Sequence, residues 1–172
     1  MDTPSFEDVK GLIAQRKPPL AARVVETKDG VVTREARVVH DGINAWFIDD
    51  GTRLELRAAE DRVTFVEGGD VERIGPGMVA SSNNWVKVAI DGRRGAYLDM
   101  GTGEVLGADD ANGRACWLVR AEGLKANDPD AVFLLHVDTE TGVVVRTARE
   151  DSEAQLDVVD LAIGSVYDPE AS

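Results

Sequence analysis

Apolar residues near the amino terminus recur at the spacing of an α-helix. They fall on one helical face, which holds Phe6, Val9, Leu12 and Ile13. The pattern predicts a helix over residues 4–16, capped either by Thr3 or by Ser5, with Asp8 completing an approximate capping box for Ser5. Pro18-Pro19 ends this helix because proline cannot continue it.

After the prolines the pattern changes to an alternation of apolar and polar residues with period two. Turn dipeptides such as Asp29-Gly30, Asp41-Gly42 and Asn112-Gly113 interrupt it. They suit two-residue hairpins, in which both central residues need positive φ. No stretch between strands has a helical pattern, which favours antiparallel pairing over a parallel α/β sheet. The predicted strands are 20–28, 31–40, 43–49, 53–58, 61–67, 70–74, 85–90, 103–109, 114–122, 131–138, 143–150 and 155–163.

The late strands differ from the early ones because they are apolar on both faces. Residues 115–119, 131–137 and 143–145 show this most clearly. A strand apolar on both faces has something covering each side. The pattern therefore favours a curved sheet with the helix on one face and an enclosed interior on the other, although a plain packed core would explain it too. We predict one mainly β (α+β) domain over 1–172, with the helix in 1–17, an antiparallel meander over 20–163 and a tail over 164–172.

The net charge of the chain limits the classes of molecule that are expected to bind to it. Lys and Arg number 19 against 32 Asp and Glu, which gives a net charge of −13. Such a surface repels nucleic acid and anionic membranes, so neither is expected as a partner. No segment is long and apolar enough for a membrane helix, so an integral membrane protein is not expected. Without a signal peptide after Met1 the chain is expected in the cytoplasm as written, or outside it if an upstream signal was removed.

The sequence offers no recognisable catalytic or metal-binding motif. His40, before a predicted turn, is expected to be exposed, whereas His136 is expected within a strand. Cys116 lies in an apolar run and reads as a small core residue. The acidic pairs Asp109-Asp110 and Asp138 with Glu140 fall at predicted turns and are expected to be solvated. We therefore expect no enzyme, no catalytic residue, no metal and no cofactor, although a site assembled from distant residues stays open.

Three tryptophans lie in alternating segments, namely Trp46, Trp85 and Trp117. They can pack a core or line a cavity for an apolar ligand. The sequence leaves both interpretations open.

Three segments together resemble the lipoprotein-carrier (LolA-like) superfamily in its actinobacterial form. They are the amino-terminal helix with residues 20–27, the hairpin over 39–48, and residues 103–146, in which Val137-Asp138-Thr139-Glu140-Thr141-Gly142 is similar to the family's "VDAETG". The resemblance covers residues 5–165 and rests on the order and spacing of the segments, since no single motif is specific. This chain shows one clear helix where relatives have two or three.

The resemblance implies a strongly curved antiparallel sheet, an unclosed half barrel whose concave apolar face is covered by the helix. Relatives carry lipoprotein acyl chains or bind lipids, and one branch senses stress through protein contact. The expected function is thus binding of an apolar ligand, a lipid or an acyl chain; the alternative is a non-enzymatic interaction, scaffold or sensor domain with a filled core. Choosing positions in phase on the predicted strands gives the expected cavity wall: Trp46, Ile48, Phe65, Val88, Trp117, Val119 and Leu135.

Overall fold

A computed structural model describes residues 2–40, 42, 45–49, 53–59, 62–67, 70–74, 86, 89–90, 101–124 and 128–164. For the strands between residues 45 and 74 the description covers the backbone and its pairing.

The single helix bounded in the described residues, α1, spans Phe6–Ala14. Ser5 is its N-cap: the Ser5 hydroxyl oxygen accepts from the Asp8 amide at 3.1 Å, and the Asp8 carboxylate accepts from the Ser5 amide at 3.0 Å. The prediction of a capping box at Ser5 is confirmed. The helix ends at Gln15, which is already extended, ahead of the two prolines.

Eleven antiparallel strands are described, close to the predicted ones. They are β1 Leu20–Lys28, β2 Val31–His40, β3 Ala45–Asp49, β4 Arg53–Ala59, β5 Arg62–Glu67, β6 Asp70–Ile74, β7 Thr102–Ala111, β8 Arg114–Glu122, β9 Val132–Asp138, β10 Val144–Arg149 and β11 Ala154–Ile163. They form one sheet in the order β6-β5-β4-β3-β2-β1-β11-β10-β9-β8-β7. The sheet has β6 and β7 as its two edges and is not closed into a barrel, so the predicted mainly β, unclosed architecture is confirmed.

Two predicted hairpin turns have the expected backbone geometry. Asp29 and Gly30 have φ of 54° and 77°, and Asn112 and Gly113 have 52° and 77°. Positive φ at both central residues is typical of a type I′ turn, whose twist matches that of the flanking strands.

The sheet bends sharply at its β7–β8 end. In a flat sheet β8 and β11 would lie about 14 Å apart, three strand spacings. Yet the Asn112 Nδ2 atom lies 2.8 Å from the carbonyl oxygen of Val145 on β10, and 2.9 Å and 3.2 Å from Asp157 Oδ1 and the Val158 carbonyl oxygen on β11. The β7–β8 hairpin therefore folds back over its neighbours, as expected for a curved sheet.

Two sequence predictions are wrong. Residues 86, 89 and 90 belong to the predicted strand 85–90, but they are helical, and Val86, Ala89 and Ile90 are buried at helical spacing. Valine and isoleucine favour strands, which hid this spacing. His40, expected to be exposed, is buried at the end of β2, where it pairs with Leu20 of β1. Pairing between distant segments, which the local sequence does not reveal, covers it.

The buried apolar residues form two clusters. The helix cluster joins α1 to β8 and β9 and contains Val9, Ile13, Trp117, Val119, Ala121, Leu124, Ala131, Phe133, Leu135 and Val137. The central cluster joins β1, β2, β10 and β11 to the ends of β7 and β8 and contains Leu20, Ala22, Val24, Ala36, Val38, Val86, Ala89, Ile90, Ala111, Cys116, Val143, Val145 and Val158.

Candidate functional site: the apolar face of the sheet

The helix α1 lies across the apolar face of β8 and β9. The register pairs Trp117 with Val137 and Val119 with Leu135, so these residues share one face. Val9 and Ile13 of α1 pack on that face. Three predicted wall residues are thereby brought together: Trp117, Val119 and Leu135 are 8%, 1% and 3% exposed. In this structure they contact the helix and the rest of the helix cluster.

Two close approaches fix α1 in place. A Cβ atom at Gly103 of β7 would lie 2.8 Å from the Phe6 ring, so the absence of a side chain there admits the aromatic ring. Gly142 has φ of 74°, and a Cβ atom there would lie 2.1 Å from the carbonyl oxygen of Leu12. The turn after β9 therefore touches the backbone of the helix directly.

The turn after β9 is organised by Asp138, which was expected to be solvated but is buried. Its Oδ2 atom accepts hydrogen bonds from the Thr141 amide at 3.1 Å and from the Thr141 hydroxyl. The Gly142 amide donates to the Asp138 carbonyl oxygen at 2.9 Å. The expected local hydrogen bonding by Asp138 is confirmed. The expectation that Asp138 is solvated is wrong, because α1 packs over this turn.

Arg114 holds Asp138 from the other side. Its Nε and one terminal nitrogen donate to the two carboxylate oxygens at 3.2 Å and 3.0 Å, and the same nitrogen donates to Glu140 at 2.7 Å. The hydrogen bond to Asp138 raises the pKa of Arg114. These contacts give the "VDTETG" segment a structural role, since it presents Gly142 to the helix.

The apolar face continues from β2 across β3, β4 and β5. The register pairs Val38 with Ile48 and His40 with Trp46, then Trp46 with Leu56 and Leu56 with Phe65. Positions paired directly across antiparallel strands share a face. The predicted wall positions Trp46, Ile48 and Phe65 therefore fall in register with the buried residues Val38 and His40. The seventh, Val88, lies outside the described residues.

A polar network lies where β10 and β11 meet the β7–β8 hairpin. Arg146 Nε donates to Asp157 Oδ1 at 2.8 Å, Asn112 donates to the same oxygen, and Gln155 donates to Oδ2 at 2.7 Å. Burial alone would raise the pKa of Asp157, but these three donors together hold it below its usual value. No local sequence pattern indicates this network, because its members come from three separate segments.

Cys116 and His136 are the remaining candidates for a catalytic or metal-binding role. Cys116 is buried, and burial raises the pKa of its thiol to about 11, which leaves it protonated at neutral pH. Its interpretation as a core residue is confirmed. His136 lies within β9, as predicted, and its Nε2 atom is 2.9 Å from Asp109 Oδ2. The hydrogen bond from His136 lowers the pKa of Asp109. The described ranges contain no group of three potential metal ligands.

An open cleft of about 850 Å³ lies at the carboxyl end of α1. Arg16 is anchored there by a hydrogen bond of 2.6 Å from its Nε to the Gly42 carbonyl oxygen. Lys17 is buried, and its ammonium donates to the carbonyl oxygens of Ile13 and Gln15 at the end of the helix. The lining residues are Gln15, Arg16, Lys17, Pro18, Pro19, Gly42, Glu140, Thr141 and Ile163.

Several proteins of known structure match this chain in three-dimensional structure. No protein-family model and no curated protein matches the chain. MucB aligns over 96% of this chain and 61% of its own, with 15% identity and a TM-score of 0.56. MucB in the Pseudomonas aeruginosa MucA/MucB complex aligns over 96% and 59%, with 14% identity and a TM-score of 0.57. The chain therefore spans about three fifths of MucB.

The lipoprotein LppX of Mycobacterium tuberculosis matches along nearly its whole length. It covers 94% of this chain and 98% of its own, with 11% identity and a TM-score of 0.50. At these identities the likeness shows the fold. That shared fold is a mainly β sheet that is not closed into a barrel, with a helix across it. Among the described residues, no helix has the length and apolar composition needed to cross a membrane.

Proposed function

We propose that this domain binds an apolar ligand, a lipid or an acyl chain, on the concave face of its half barrel. One observation carries the proposal: the register continues an apolar row from buried positions of β2 through Trp46, Leu56 and Phe65 on β3, β4 and β5. Such a row extends the apolar face well beyond the strands that α1 covers. Of the wall expected from the sequence, we propose Trp46, Ile48 and Phe65 as ligand contacts, whereas Trp117, Val119 and Leu135 pack against α1.

The size of α1 supports this assignment. Nine residues make a helix about 13 Å long, and neighbouring strands lie about 4.8 Å apart, so α1 can cover about three strands. Its buried partners lie on β8 and β9, with Val105 of β7 and Val144 of β10 at the margins. On β2 this face is already covered, because Ala36 and Val38 are buried in the central cluster with the helical residues Val86, Ala89 and Ile90. We propose that the ligand covers the positions that continue this face on β3, β4 and β5. Each methylene of an acyl chain placed there would contribute ~0.8 kcal/mol.

The similarity in fold supports the proposal, but the proposal does not rest on it. LppX is a lipoprotein and shares the fold from end to end. We propose that this chain belongs to the same actinobacterial branch and acts outside the cytoplasm as a non-enzymatic carrier or binding protein.

The test is extraction of purified protein with organic solvent, followed by mass spectrometry of the extract. A lipid at stoichiometric amount, or saturable uptake of a fluorescent fatty-acid ester, is the expected result. A clean extract from folded protein that also takes up no ester would contradict the proposal.

A second function, a protein-interaction or sensor domain, has its own support. MucB forms a complex with MucA, and in this chain α1 fills the apolar face over β8 and β9. The β1–β2 hairpin also exposes Val31 and Val32, at 65% and 53%. Neighbouring exposed apolar side chains are typical of contact sites. This function becomes the better account if the extract is clean.

A further inference from the structure

The cleft at the end of α1 combines apolar walls with one positioned positive charge. Pro18, Pro19 and Ile163 supply the apolar surface, and Ile163 is 37% exposed although it ends a strand. A volume of about 850 Å³ falls within the range of ligand pockets, roughly 300–1,000 Å³. Five of its lining residues, 15–19, form the segment that connects Ile13 of the helix cluster to Leu20 of the central cluster.

Arg16 differs from most arginines of the described surface. Arg23, Arg114, Arg120, Arg146 and Arg149 each form an ion pair with a carboxylate. Arg16 is exposed, and its partner is the neutral carbonyl of Gly42. Within the described part of the chain no carboxylate pairs with it. The bond to Gly42 orients the guanidinium, while its positive charge stays available to a ligand.

The other charges of the cleft are already engaged. Glu140 is held by Arg114 at 2.7 Å. The Lys17 ammonium donates to two carbonyl oxygens at the negative end of the helix dipole. On a protein with a net charge of −13, an oriented guanidinium in an apolar cleft is a local attraction for an anion.

We propose that this cleft binds the carboxylate headgroup of a single-chain amphiphile, with Arg16 as its ionic partner. The inference rests on the proposed function, because the acyl chain would follow the apolar face. It specifies the class of the ligand, which is a fatty acid rather than a neutral lipid. It also specifies the orientation of the bound ligand, whose headgroup lies at the end of α1. Guanidinium and carboxylate form strong, charge-assisted hydrogen bonds.

The experiment compares two fluorescent ligands of the same shape, cis-parinaric acid and its methyl ester, at a pH where the acid is ionised. Wild-type protein is expected to bind the acid about 10-fold more tightly, a difference that corresponds to ~1.4 kcal/mol. Arg16→Gln removes this preference and leaves the affinity for the ester unchanged. Lys28→Gln is the matched control, since Lys28 is an exposed cation on the β1–β2 hairpin, away from the cleft.

Two further measurements keep the test independent of folding in the glutamine variant. Arg16→Lys retains the charge and is expected to keep part of the preference. Added salt should weaken binding of the acid by wild-type protein and leave the ester unaffected.

Each remaining outcome overturns a specific statement. Equal affinity of wild-type protein for acid and ester, or equal loss in Arg16→Gln and Lys28→Gln, contradicts the headgroup site but leaves the proposed function intact. Binding of neither ligand contradicts the proposed function together with the site.

Discussion

The two halves of the apolar face are built differently. Over β7 to β10 the protein covers its own sheet: α1 packs onto Trp117 and Phe133, and two glycines admit the helix at close range. Over β2 to β5 a row of apolar positions runs in register from Val38 and His40. One sheet can thus hold a closed core in one half and, as we propose, a binding surface in the other. The helix α1 covers the first half, whereas the β2 end of the second half packs against the helical residues Val86, Ala89 and Ile90.

The largest effect is expected where the face is filled. Trp117→Ala should lower the free energy of unfolding by about 3–5 kcal/mol, because it leaves a cavity beneath α1. Urea denaturation measures this change. Leu106→Ala is the control, since Leu106 is 50% exposed on β7 and should change stability by less than about 0.5 kcal/mol. Similar small effects in both variants would mean that the helix cluster is loosely packed.

The second largest effect is expected at the ion pair that organises the turn beneath α1. Arg114→Gln should lower the free energy of unfolding by about 3 kcal/mol, because it leaves Asp138 buried without its charge partner. Glu140→Gln removes the exposed partner of the same arginine and should cost at most about 1 kcal/mol. Thermal or urea unfolding of both variants checks the ranking. If Glu140→Gln proves the more damaging, Asp138 does not organise the turn.

Two glycines with nearly the same backbone conformation separate helix docking from backbone strain. Gly142 and Gly113 have φ of 74° and 77°, but a Cβ atom would strike Leu12 only at Gly142 and would meet nothing within 4 Å at Gly113. Gly113→Ala should cost roughly 1–2 kcal/mol for the left-handed conformation. Gly142→Ala should cost about 1–3 kcal/mol more, for displacing the helix. Equal costs in urea unfolding would show that α1 does not rest on this turn.

A smaller, pH-dependent effect is expected at β11, between the two halves. The pKa of Asp157 is lowered in the folded protein, so its stabilising contribution is present above the unfolded pKa and lost as the pH falls through the folded value. Asp157→Asn should cost about 1–2 kcal/mol at neutral pH.

The difference between wild type and Asp157→Asn should shrink below about pH 4, near the unfolded pKa of aspartate. Unfolding of both proteins across a pH series measures it. Asp110→Asn is the control, because Asp110 is exposed. A difference that stays constant down to pH 2 would contradict the assigned role of the Asp157 carboxylate.

Local signals predicted most of the fold, and contacts between distant segments account for what they missed. The Ser5 capping box, the hairpin turns at Asp29-Gly30 and Asn112-Gly113, and the antiparallel pairing follow from short-range patterns. That the sheet is not closed was implied by the family resemblance. The helical residues 86, 89 and 90 were hidden because valine and isoleucine favour strands.

For the candidate site, alternation placed Trp117, Val119 and Leu135 on one face, and the register confirms that placement. Whether they line a cavity or pack against protein depends on where α1 docks. That position is set by Gly103 and Gly142, which are far from Phe6 and Leu12 in sequence. Burial of His40 and Asp138 depends on long-range packing in the same way, so no local pattern could have revealed it.

We propose that the ligand occupies the face that β3 to β5 present in register with Val38. Neighbouring residues of β5 test it most directly, since Phe65 pairs with Leu56 and Val66 pairs with Glu55, on opposite faces of one strand. The measurement is the affinity of cis-parinaric methyl ester for Phe65→Asp and Val66→Asp, with circular dichroism to show that both are folded. Phe65→Asp is expected to lose binding, and Val66→Asp is expected to retain it. Retained binding in a folded Phe65→Asp protein, or loss in Val66→Asp alone, would contradict the claim.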